Sequence, residues 1–205
     1  MSRHIGALFL FMLFVAIVTF PCRAQTIYSN GPIDGNTDAW TISFGTFIVS
    51  DTFQVANNNT EITGFTMADW LTPGSLLGTA ELSITTGEAG GTSYFDQIVD
   101  FTQGSCTLNA FGYNVCNETT TFNGPELNAG TYWINIQNAS TTGDPAYWDE
   151  NSGAASASEN TVGSIPSESF TVFGGQSGTT TPEPGTFMMF GSGLLGLAWL
   201  LRGRS

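Results

Sequence analysis

Between Gln25 and Thr181 the chain contains no His, Lys or Arg, so its chemistry is confined to carboxylates, amides, hydroxyls, aromatic rings and one cysteine pair. Ser-His-Asp and Cys-His catalysis, Schiff-base formation and arginine clamps all need a base or cation that this stretch lacks. A carboxylate pair of the glycosidase kind survives that filter, but the acids are scattered with no distinguishing spacing. Asp149 and Glu150 adjoin Tyr147 and Trp148, a grouping compatible with sugar stacking, yet adjacent strand residues point to opposite faces and do not converge. No enzyme is expected, and no resident cofactor.

Two further patterns could bind a ligand. Asp34, Asn36 and Asp38 place side-chain oxygens at alternate positions, as Ca²⁺ loops do. An EF-hand would require a bidentate Glu where this sequence has Gly45, so a Gly/Asn turn ahead of a strand competes with the metal reading. Trp133 and Trp148 are candidate sugar platforms, with Asp149 beside the second. Core packing is the competing reading for both rings.

The ends of the chain have a different character. Arg3 and His4 precede an apolar run from Ile5 to Phe20, shorter than the roughly 20 residues that span a bilayer. Cys22 and Ala24 follow as small residues at the positions a signal peptidase requires. Cleavage by signal peptidase is expected between Ala24 and Gln25, with residues 1–24 as a signal peptide. At the other end a second apolar stretch, Phe187 to Leu201, runs into Arg202, Gly203 and Arg204; it is a candidate transmembrane helix whose basic end stays cytoplasmic.

What lies between is acidic. Of the 17 acidic residues only Glu183 falls outside 25–181, whereas all four Arg and Lys residues and the one His do. Binding to a phosphate backbone depends on Lys and Arg displacing counterions, which excludes nucleic acid as a partner. No side-chain salt bridge can form within this stretch either. After removal of the signal peptide, Cys106 and Cys116 are the two cysteines left in an oxidising compartment, and a disulfide between them is expected.

Short β-branched and aromatic runs separated by Gly, Asn, Asp and Pro dominate residues 25–173 and predict an all-β fold. Strands are expected at 39–44, 47–55, 61–70, 76–85, 92–102, 106–111, 113–122, 130–137 and 169–173. In Thr131 to Gln137, Tyr132, Ile134 and Ile136 share one face and Trp133, Asn135 and Gln137 the other. The runs on either side of Gly112 read as a hairpin bent at Asn109 to Asn114. About nine strands predict a two-sheet β-sandwich, jelly-roll-like in winding. Ser152 to Ser158 reads as a loop, and the Gly/Ser/Thr-rich segment 174–181 as a flexible linker.

The order Pro182-Glu183-Pro184, apolar stretch, then Arg202-Gly203-Arg204 closely resembles the PEP-CTERM sorting signal of Gram-negative bacteria, over residues 182–205. The stretches Ala129 to Trp133 and Asp144 to Glu150 also look like the β-rich ectodomains of such proteins. The resemblance implies recognition by a membrane-embedded exosortase, which removes or exchanges the tail near the Pro-Glu-Pro element. It implies transient residence in the inner membrane and a final place at the cell surface or in the extracellular matrix. A structural or adhesive role in exopolysaccharide or biofilm is the corresponding expectation, with a carbohydrate-binding module, Ca²⁺-assisted, as the alternative and extracellular polysaccharide as the partner.

Overall fold

The computed structural model describes residues 24–177. The expected signal peptide, the Pro-Glu-Pro element and the transmembrane helix lie outside these residues. Among the described residues no helix is long and apolar enough to cross a membrane.

Two antiparallel sheets face each other. The first holds eight strands: β1 (Gln25–Ser29), β2 (Ala39–Thr41), β4 (Thr60–Leu71), β7 (Thr102–Leu108), β8 (Asn114–Thr121), β9 (Glu126–Leu127), β11 (Tyr147–Asp149) and β14 (Phe170–Gln176). The second holds six: β3 (Val49–Val55), β5 (Leu77–Gly87), β6 (Gly90–Asp100), β10 (Gly130–Thr141), β12 (Ala157–Glu159) and β13 (Gly163–Ile165). Their order is β13-β12-β3-β10-β5-β6. In the first sheet β4 is central, with β14 and β11 along one side and β8 along the other. The connections β3 to β4, β4 to β5 and β6 to β7 cross between sheets, whereas β5–β6 and β7–β8 are hairpins within one sheet.

Side-chain alternation builds the core. Phe65, Met67 and Leu71 of β4 point inward, as do Phe53 of β3 and Ile134 and Ile136 of β10, and all are buried in one cluster. On the other face of β4, Ala68 and Trp70 join Val115 in a small second cluster. The sandwich and its single bridge, Cys106 to Cys116 across neighbouring strands β7 and β8, are as the sequence predicts.

Differences arise where strands are short or glycine-rich. β1, β9, β11, β12 and β13 carry too few residues to show an alternation. Part of the expected 152–158 loop is strand, since Ala157 and Ser158 open β12 against β3. The expected linker also begins later than composition suggests: β14 continues through Gln176, with Gly174 opposite Ile62. Here glycine marks a bulge between Phe173 and Gly174, where a Cβ would collide with the Glu61 carbonyl.

Candidate functional site

Alternation along β11 decides which aromatics are available at its site. Trp148 points into the core with no exposed surface, edge-on to Phe65 and Phe170 at 5.9 and 5.7 Å. Its indole N–H donates to the Ser169 carbonyl at 3.0 Å. A sugar cannot reach it, so Trp148 is no platform. Its neighbour Tyr147 points outward instead, half-buried, and meets Tyr113 at 5.9 Å. Tyr113 in turn lies 5.9 Å from Trp70, against which Phe111 stacks at 5.5 Å.

Four aromatic rings thus form a row on the outer face of the first sheet, with Phe111 59 % exposed. The β7–β8 bend holds Phe111 and Tyr113 in place. Asn109 Oδ1 accepts from both their backbone N–H groups, at 3.0 and 2.9 Å, and Gly112 takes a positive φ of 87°. Phe111 and Tyr113 escape a sequence reading because they occupy a turn, where no periodicity marks a side chain's direction. Trp133 stands apart, half-buried on the outer face of the second sheet between Thr52 and Thr85.

Asp149 braces the row from beneath. It is fully buried; Trp70 Nε1 donates to its Oδ1 at 2.6 Å, and the backbone N–H groups of Asp34 and Gly35 donate to the two oxygens at 2.9 Å each. Burial raises its carboxyl pKa against the pull of those donors. Asp149 is therefore a fastener for the 34–38 loop rather than a group open to ligand. The loop spends its own oxygens internally. Asp34 Oδ2 accepts from the Thr37 hydroxyl at 2.9 Å, Asp34 Oδ1 from Asn36 Nδ2 at 3.2 Å, and Asp38 Oδ1 from the Ala39 N–H at 2.8 Å. That is an Asx-type turn, the arrangement the Gly/Asn-turn reading of Asp34, Asn36 and Asp38 expects.

Further buried carboxylates lie in two places. At one end Glu168 and Glu150 face each other across an antiparallel bridge, with Asp51 of β3 nearby. Asp51 Oδ2 accepts from the Glu168 N–H at 2.7 Å, Asn30 Nδ2 at 3.1 Å and the Ser167 hydroxyl at 3.3 Å. Glu150 Oε2 accepts from the Trp40 indole at 3.3 Å. Burial nevertheless drives the Asp51 carboxyl up to about 7. Glu168 has no hydrogen-bond partner on either oxygen.

The second place is under β4 and β8. Asp69 follows Phe65 and Met67 on the inward face of β4, opposite Cys116, and Glu118 follows Cys116 on the inward face of β8, opposite Met67. Both acids are completely buried; Asp69 has no hydrogen-bond partner on either oxygen, and Glu118 is reached only by the Gln103 side chain, which pulls its carboxyl pKa back down. Ligating atoms of Asp69, Glu118 and Cys116 lie within 4.8 Å of one another, the only such grouping among the described residues, although the Cys116 sulfur is committed to its disulfide. Burial and then the Glu118 charge push Asp69 up to about 9; burial pushes Glu118 up to about 7. A separate cleft of about 760 Å³ lies between β6, β7 and β8, lined by Asp100, Gln103, Thr119, Thr120, Phe122 and Asn123 among others; neither Asp69 nor Glu118 lines it.

A family description, the PEP-CTERM protein-sorting motif, matches residues 180–204. The chain carries a PEP-CTERM sorting motif. That match covers the expected Pro182-Glu183-Pro184 element and both Arg202 and Arg204. It identifies an exported protein that is sorted to the cell surface with processing by an exosortase. No curated protein matches the chain. The motif sits beyond the sandwich and supplies its destination, while the aromatic row and the cleft are what the sandwich itself offers to a partner.

Proposed function

We propose that the exported domain is a non-enzymatic structural or adhesive component of an extracellular polysaccharide matrix, kept at the surface of a Gram-negative cell through its PEP-CTERM motif. The observation that carries this reading is the joining of that motif to a disulfide-bridged sandwich in which every Lys, Arg and His is absent. Such a domain lacks the His, Lys and Arg groups that most nucleophilic mechanisms rely on, and its negative charge keeps it dispersed among other polyanions. The test is fractionation of the native host producing the tagged chain, with and without residues 182–205. The intact chain belongs in the washed matrix and cell-surface fractions, and the truncated chain should escape to the medium. Full retention of both forms inside the cell would sink the proposal.

A second reading, a carbohydrate-binding module, is favoured by the outward row of Phe111, Tyr113 and Tyr147. Aromatic faces stack on the apolar faces of sugar rings, and this row replaces the Trp148 platform that burial removes. Binding of the full chain to a panel of bacterial and plant polysaccharides discriminates the readings. Saturable binding should weaken at least about tenfold in Phe111→Ala with Tyr147→Ala, a loss of about 1.4 kcal/mol, and survive Trp133→Ala. Absence of binding to every glycan leaves the purely structural reading.

A further inference from the structure

β6 is the last strand of the second sheet, and the cleft of about 760 Å³ separates it from β7 and β8 of the first. Strand register makes this opening polar. Along the inward face of β6, Phe95 and Val99 are buried, yet Gln97 between them is exposed and lines the cleft. From the other sheet, Phe122 reaches across just past the end of β8 and stacks on Phe95 at 4.6 Å. Apolar packing stops at that stack, and amide and hydroxyl side chains take over beside it.

The backbone is also left open here. β7 begins only at Thr102, opposite Thr119, so Thr120 and Thr121 at the end of β8 have no paired strand on that side. β6 pairs with β5 alone, and its other edge is free. Free edges present main-chain N–H and C=O groups to whatever enters. A separate observation points into the same space: Thr120, a lining residue only 3 % exposed, has a hydroxyl with no hydrogen-bond partner. Buried hydroxyls ordinarily have one.

The lining indicates what would supply it. Gln97, Gln103, Thr120 and Asn123 offer donors and acceptors, while Ile98 and Phe122 offer apolar surface between them. A sugar chain carries the matching pattern of hydroxyls and C–H faces. Asp100 is the one charged residue in the lining, and the domain has no Lys, Arg or His to pair with a sugar carboxylate or sulfate, so an acidic glycan would be repelled. The volume is that of sites enclosing drug-sized molecules, room for a short run of sugar units.

We propose that this cleft binds a segment of neutral polysaccharide, with Gln97, Thr120 and Asn123 hydrogen-bonding its hydroxyls and Ile98 and Phe122 packing on its C–H faces. The site is distinct from the aromatic row, which lies on the outer face of the first sheet, and does not depend on it.

Calorimetric titration of the full chain with short neutral gluco-, manno- and galacto-oligosaccharides, and with alginate oligosaccharides as the acidic comparison, tests the proposal. At least one neutral series should bind saturably, and the alginate series at least about tenfold more weakly. Gln97→Ala with Asn123→Ala, both exposed positions, should weaken neutral binding at least about tenfold with an unchanged thermal midpoint. Thr120→Val, which removes only the hydroxyl, should weaken it several-fold, and Phe111→Ala with Tyr147→Ala should leave the cleft's affinity unchanged. The proposal is overturned if no neutral oligosaccharide binds, if alginate binds as tightly as the neutral series, or if binding survives the cleft variants. Loss in the Phe111 and Tyr147 variant alone would overturn it too, by assigning the glycan to the aromatic row.

Discussion

Replacing Glu168 by Gln should stabilise the domain, by an amount that grows with pH. Glu168 is wholly buried with both oxygens unpartnered, and it faces Asp51, Glu150, Asp149 and Asp38, with Tyr28 beyond Asp51 and no cation among them. Burial first, and the Asp51 charge next, hold its carboxyl pKa well above the ordinary 4.5. In the unfolded chain the proton leaves near that ordinary value, whereas the folded chain keeps it. Stability is thus unaffected by this group below about pH 4 and declines as pH rises, by about 1.4 kcal/mol per unit while the folded state stays protonated. Each pH unit over which the folded state keeps this proton is therefore a sizeable share of a typical total of about 5–15 kcal/mol. Gln keeps the shape and removes the titration. Urea unfolding followed by tryptophan fluorescence should give nearly coincident curves for wild type and Glu168→Gln at pH 4.5 and well-separated ones at pH 8, the variant being the more stable. Asp51, also raised, is present in both proteins and largely drops out of the difference. A difference that does not change with pH would refute the reasoning, and so would a variant less stable at every pH.

Three other outcomes follow from the packing. Reduction of Cys106–Cys116, or Cys106→Ser with Cys116→Ser, opens a loop with a sequence separation of 10 and should cost about 2–3 kcal/mol in a urea titration. Trp148→Ala should cost about 3–5 kcal/mol because it empties a fully buried site, while Trp133→Ala on the outer face should change stability by far less in the same assay. Gly174→Ala places a Cβ against the Glu61 carbonyl at the β14 bulge and should lower the thermal midpoint by several degrees, whereas Gly175→Ala meets open space and should leave it nearly unchanged.

The long strands were legible because alternation repeats often enough in them to be read. Thr131 to Gln137 shows its two faces in sequence, and the structure buries Tyr132, Ile134 and Ile136 accordingly. The same rule, applied along β4, would have exposed the buried acid: Phe65, Met67, Asp69 and Leu71 share one face, and Asp69 is the polar residue in an apolar register. Glu118 was harder to see, since β8 is rich in Thr and Asn and no apolar stripe marks its inner side. At β11 three residues are too few to phase, so Tyr147 and Trp148 could not be assigned to faces until β2 and β4 were seen on either side. Turn residues such as Phe111 carry no periodicity at all. Their direction depends on the Asn109 hydrogen bonds and on the bridge between β7 and β8, which is tertiary information.

The absence of Lys, Arg and His links these features. A sandwich with ordinary composition can place a cation beside each buried carboxylate, and the paired charges then hold their pKa values down. Here each buried acid must be satisfied by backbone and side-chain donors, as Asp149 and Asp51 are, or else by something that arrives from solution. Glu168 and Asp69 have no such donors, and Glu118 has only the Gln103 side chain. For them the available partner is a proton, which makes the folded state answer to the acidity around the cell. A domain destined for the surface meets that medium directly, so its stability should fall as pH rises, through Glu168 and through the Asp69–Glu118 pair. These contributions are separable, because the two clusters respond to different substitutions: Glu168→Gln should remove only its own share of the pH response, and Asp69→Asn with Glu118→Gln only theirs.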